Sequence, residues 1–152
     1  MAYDSGQARR ELLDDVASAT DDLGVALAAL GAAFEQLDDY NAERLEEELF
    51  RPVQVAYGRA QRTHREFADR HGLPTRTFDA ASAGLPSLGV KGFLDAAVNA
   101  TVRADRTLTQ LQDSMRPVEV GDAELRAGLS EVRRLVGDVP RRANELVRGL
   151  GR

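Results

Sequence analysis

Cysteine and tryptophan are absent from this 152-residue chain, histidine occurs twice, and lysine once, at Lys91. Without cysteine there are no disulfides, thiolate nucleophiles or thiolate-ligated metals. Two histidines are too few for a multi-histidine metal centre. Five Phe and three Tyr leave little aromatic surface for stacking on bases. No window holds the roughly 18 uninterrupted apolar residues of a membrane span. Met1-Ala2-Tyr3-Asp4-Ser5 has neither the basic nor the apolar region of a signal peptide. The expected compartment is the cytoplasm.

What is present suits one globular domain, residues 1–152, with 43% hydrophobic residues, 30% charged residues and a net charge of −5. The charge is uneven. Residues 1–50 hold thirteen acids and three bases, whereas residues 51–152 hold twelve acids and seventeen bases. Such asymmetry fits either a polyanion partner or acidic helices packed on basic ones, and the second is the plainer expectation.

Apolar residues recur at alternating spacings of four and three in four blocks, the mark of helical core stripes. The first runs Leu12, Val16, Ala19, Leu23, Ala26, Leu30, Ala33, Leu37, widened by Leu13, Leu27 and Phe34. The second runs Leu45, Leu49, Val53, Ala56, Ala60, Thr63, Phe67, with a stutter where Pro52 predicts a kink. Asn41 is its expected cap, and His71-Gly72-Leu73-Pro74 its stop. The third runs from Val90 to Met115 and ends before Pro117. The fourth runs from Leu125 to Leu150 behind a cap at Asp122, with a kink expected at Pro140. The predicted fold is all-α, a four-helix bundle with helices over about 5–38, 41–71, 90–116 and 122–148.

The first and third connections are short, as between antiparallel neighbours. The middle one, 72–89, has about eighteen residues and at ~3.3 Å each spans far more than a ~40 Å helix. A long crossover is therefore expected between the second and third helices. Reversing the second pair also balances core volumes, giving layers such as Ala19/Thr63/Leu108/Val132. The alternative is a simple up-down-up-down bundle.

Two long antiparallel helices, a long crossover and two more helices resemble the ferritin-like four-helix bundles. The di-iron members of that superfamily carry a Glu on the first and third helices and Glu-x-x-His on the second and fourth. Here the third helix has no Glu from Val90 to Arg116, the fourth has Glu131 and Glu145 but no His, and the second offers Gln61-Arg62-Thr63-His64. The di-iron motif is absent, so the resemblance implies architecture without ferroxidase activity, and no metal or other cofactor is expected.

Gly84-Leu85-Pro86-Ser87-Leu88-Gly89-Val90-Lys91 imitates a phosphate loop, but Val90 separates the glycine from the lysine and no strand precedes it. His64 has Thr63, Tyr57 and Asp69 nearby, yet adjacent helix positions diverge by about 100°, so no nucleophile–base pair is evident. No catalytic residue is assigned. On the fourth helix Glu131, Asp138 and Glu145 each lie three before Arg134, Arg141 and Arg148, a surface ion-pair ladder rather than a nucleic-acid stripe.

One row stands out. Phe50, Gln54, Tyr57, Gln61, His64, Ala68 and His71 follow a four–three spacing beside the core stripe of the second helix, and none carries a full charge at neutral pH. Such a row fits packing against a neighbouring helix, burial under the crossover, or a homodimer or partner seam. The expected function is non-enzymatic, through self-association or partner binding, without nucleic acid or membrane. The alternatives are a small-molecule or lipid carrier using the Ala/Thr-rich core (Ala26, Ala56, Ala60, Thr101, Ala104) and a degenerate ferritin-like metal protein using His64.

Overall fold

A computed structural model describes residues 4–79, 81–84 and 86–150. Met1 to Tyr3, within the segment weighed as a signal peptide, and Leu85, within the loop weighed for phosphate, lie outside the described residues. The described residues form an all-α bundle without strands. Its elements are α1 (Ser5–Glu35), α2 (Asp39–Leu45), a π turn (Glu46–Phe50), α3 (Arg51–Arg70), a 3-10 turn (Pro86–Leu88), α4 (Gly89–Asp113), α5 (Arg116–Glu119), α6 (Ala123–Val136) and α7 (Val139–Leu150). They assemble into four rods: α1; α2 through α3; α4; and α6 with α7.

Ion pairs between rods fix their directions. Arg116 reaches Glu11 and Asp15, and Arg103 reaches Asp22, so α4 runs antiparallel to α1. Arg70 holds Asp122 at one end, and Arg142 donates to the Glu48 carbonyl oxygen at the other, so the fourth rod runs antiparallel to the second. The order is up-down-down-up, and the segment from Gly72 to Leu88 crosses the bundle from the lower end of the second rod to the upper end of the third. The first rod touches the second and third, and the fourth closes the ring opposite it.

The core follows the predicted stripes. Leu12, Leu23, Leu30, Leu45, Leu49, Phe67, Leu94, Leu108, Leu125 and Leu146 are all buried. Ala19, Ala26 and Ala33 on α1, with Ala97, Ala100 and Ala104 on α4, are also buried, and α1 and α4 form the most extensive helix pair in the bundle. Small side chains let two helix backbones draw together. By length and composition α1 is apolar enough to cross a membrane; more than half of that window is buried in the bundle.

Local departures have local causes. The first cap of the second rod is Asp38, which accepts from the Asn41 N–H and from its side-chain amide at 2.7 Å; Asn41, the expected cap, is the donor. Pro52 has no N–H for the Glu48 carbonyl, and the chain widens before it: the Arg51 N–H reaches back five residues to Glu46. The Glu48 carbonyl is satisfied instead by Arg142 at 3.2 Å. The second rod ends as predicted, Gly72 adopting φ 65° while the Leu73 N–H bonds the Ala68 carbonyl at 2.8 Å. The third rod ends earlier than expected. Met115 takes a left-handed φ of 66° after α4 has closed, so this expected core residue is 51% exposed. Pro140 produces a break at 137–138 rather than a bend within one helix. Thr63 faces Gly128 rather than Val132, one turn from the ideal layer, because that layer assumed four unbroken rods.

Candidate functional site

The uncharged row on the second rod falls into three environments. At the lower end His71 meets Asp122, with Nε2 3.0 Å from the carboxylate. Arg70 donates to both Asp122 oxygens at 2.8 Å, and the Leu125 N–H caps α6 on the same group. Burial pushes the Asp122 carboxyl up, but Arg70, Leu125 and His71 outweigh it and hold its pKa at about 2. The predicted cap is therefore also a staple between the second and fourth rods.

In the middle the row is covered from within the chain. His64 is 4% exposed beneath the crossover, with the Phe78 ring edge-on at 5.3 Å. The crossover is pinned here by Arg76, whose Nη2 donates to Asp21 on α1 at 2.7 Å and whose guanidinium lies over the Phe78 ring. His64 Nδ1 is buried without a hydrogen-bond partner. Burial lowers the His64 pKa, Arg76 lowers it further, and Asp14 and Asp21 only partly oppose this, so the ring is neutral at pH 7. A cleft of about 430 Å³ opens beside it between α1 and the crossover, lined among others by Asp14, Ser18, Asp21, His64, Pro74 and Arg76. Tyr57 packs on α1 at Gly24, where an added Cβ would come within 3.3 Å of the ring. Its phenol is pushed up by burial and by Asp21 and Asp79. Gln61 lines an open hollow with Arg65 and Phe78.

The Thr63 hydroxyl, adjacent to His64, donates to the Arg59 carbonyl of its own helix at 2.8 Å. Among the described residues no three His, Asp or Glu side chains converge as metal ligands do. Ala26, Ala56, Ala60, Thr101 and Ala104 are buried between rods, and the Thr101 hydroxyl donates to the Ala97 carbonyl.

At the upper end the row emerges. Gln54 is exposed and Phe50 half-buried. Phe50 joins Gly31, Phe34, Glu35 and Glu46 around a groove of about 230 Å³ between α1 and the π turn. Phe34, expected to widen the core stripe, is 37% exposed here, and at the same end Tyr40 is 69% and Val55 53% exposed. Phe34 follows the stripe spacing, but it borders the open groove between α1 and the π turn. A sign of this was available in the sequence: the carboxylates that crowd the same stretch, Glu35 to Glu48, mark it as solvated.

On the fourth rod, two rungs of the predicted ladder form, Arg134–Glu131 and Arg141–Asp138, and Arg141 also reaches Glu145 at 2.9 Å. Arg133 turns inward to Asp105 on α4 at 3.0 Å. Compared with protein-family models, curated proteins and solved structures, the chain has no significant match.

Proposed function

We propose that the protein is a non-enzymatic helical bundle that acts by association, with a partner protein or with a second copy of itself. The observation that carries this is the uncovered apolar groove of Gly31, Phe34 and Phe50, with Gln54 and Val55 exposed on the next turn of the second rod. The Thr63 hydroxyl beside His64 is engaged by the backbone of its own helix, which supports a binding rather than a catalytic role. The up-down-down-up order supports a ferritin-like plan for the architecture, with no iron chemistry attached. We take the protein to work in the cytoplasm, away from nucleic acid and membranes. That view draws on Arg133, Arg134 and Arg141 of the fourth rod being engaged by carboxylates and on the apolar residues of α1 being packed in the bundle.

Sedimentation velocity at rising concentration separates the two arms. A faster species that vanishes in Phe34→Glu assigns the groove to self-association. A strict monomer leaves the partner arm, which loses its support if Phe34→Glu has no effect on the binding of any helical peptide. A small-molecule carrier is the second reading. It now draws on the cleft beside His64, whose volume falls within the range of small-ligand pockets, and no longer on the alanine-rich core. Ring NMR signals of His64 that stay fixed throughout a metabolite screen would remove it.

A further inference from the structure

We infer that the upper groove receives a cationic amphipathic helix of a different protein; this rests on the association reading above and names the partner's chemistry. The floor of the groove is apolar and open. Phe34 and Phe50 form it, and nothing lies within 4 Å of where a Cβ on Gly31 would sit. The space lies between two antiparallel rods, a shape suited to the apolar face of a third helix with anchors one turn apart.

The rim supplies the charge. From Glu35 to Glu48 the chain holds seven carboxylates and one base, Arg44. Arg44 is engaged by Glu48 at 3.5 Å, and Asp38 serves as a helix cap. Among the described residues the other five, Glu35, Asp39, Glu43, Glu46 and Glu47, make no ion pair. Elsewhere most acids are matched, among them Asp21 with Arg76, Asp22 with Arg103, Asp105 with Arg133, Asp122 with Arg70 and Glu131 with Arg59. Those that make no ion pair among the described residues, Asp14, Asp69, Asp79, Asp113, Glu119 and Glu124, are scattered along the chain rather than gathered in one stretch. Uncompensated negative charge and exposed aromatic surface therefore coincide at one end of the molecule.

A second copy is a poor occupant. A two-fold contact would set the same patch against itself, carboxylates facing carboxylates. A head-to-tail contact would need a cluster of free arginines, and Arg133, Arg134 and Arg141 of the fourth rod already hold carboxylates of their own chain. Arg51, Arg65, Arg106 and Arg148, exposed and without an ion pair among the described residues, lie apart on three different rods. The complement is a helix with apolar residues on one face and unpaired lysines or arginines flanking them.

The test uses the full chain and a fluorescently labelled Leu/Lys amphipathic peptide of about five helical turns. Its companions are a composition-matched scramble that lacks the apolar face and a Leu/Glu counterpart. The expected result is binding at least about tenfold tighter to the amphipathic Leu/Lys peptide than to the scramble, and none to Leu/Glu. A rim variant, Glu35→Gln/Glu46→Gln/Glu47→Gln, and a floor variant, Phe34→Ser, should each weaken binding by about tenfold or more with helical circular dichroism unchanged. Salt of about 1 M, where the Debye length is about 3 Å, should do the same. Undiminished binding by the rim variant, equal binding of the scramble, or no binding of the Leu/Lys peptide overturns the inference. If the rim variant binds normally while Phe34→Ser does not, the charge inference fails and the groove remains an association site. If Phe34→Ser also changes nothing and the chain is a strict monomer, both fail.

Discussion

At Gly128 the second and fourth rods approach so closely that an added Cβ would overlap the Thr63 hydroxyl and methyl and lie 3.0 Å from its Cβ. Gly128→Ala should destabilise the fold by about 1–3 kcal/mol in urea unfolding, as overpacking does. Thr63→Ala in that background should restore part of the loss. His64 offers a second test at this scale. Burial and Arg76 hold its folded pKa below the ordinary 6.5, so the unfolded chain takes up the proton first. The stability it contributes is full above pH 6.5 and falls as the pH drops below that value. Unfolding free energies between pH 7.5 and 5 should decline in the wild type and decline less steeply in His64→Gln. Asp122 acts in a separate window: its folded pKa of about 2 lies below 3.8, so its contribution is present above 3.8 and lost towards pH 2. The neutrality of His64 was foreshadowed by its place in a row without charges. The exposure of Phe34 was foreshadowed only by the carboxylates that follow it, because its own spacing is that of the core.

The second rod shows how one residue reshapes an element. Pro52 leaves the Glu48 carbonyl without its usual donor, and Arg142, ninety-four residues away, supplies one. Arg142→Met should cost about 1 kcal/mol. In a Pro52→Ala background the restored N–H can reach Glu48, so the same change should cost measurably less. A double-mutant cycle by urea unfolding reads that coupling, and equal costs in both backgrounds would refute it. That Pro52 would disturb the helix follows from proline chemistry. That the disturbance takes the form of a π turn depends on a distant arginine, which no local spacing encodes. The same holds for Met115: helical spacing extends through it, but the chain reverses there and the residue becomes the left-handed end of the third rod.

For the whole molecule, the crossover was legible because eighteen residues are too many for a hairpin and because reversed layers balance large against small side chains. What pins it was not legible, since Arg76 and Asp21 are fifty-five residues apart. Arg76→Ala with Phe78→Ala should raise proteolytic cleavage and amide exchange within residues 73–79 while shifting the melting temperature little, because these side chains hold the crossover rather than the core. The groove was half legible. Phe50 of its floor lay in the uncharged row, whereas Phe34 was read as part of the core stripe, and the lack of ion pairs around the groove emerges only when the pairings of the other carboxylates are known.

The up-down-down-up order has an electrostatic consequence. With the first rod beside the second and third and the fourth opposite, every neighbouring pair is antiparallel and only diagonal pairs are parallel. Each end of the bundle therefore presents two helix N-termini and two C-termini, and the peptide macrodipoles, worth roughly half a charge at each terminus, cancel there. The net field at the upper end is then set mainly by side chains. A partner approaching the groove meets chiefly the potential of the five carboxylates that make no ion pair among the described residues, so neutralising them one by one should weaken that field in graded steps.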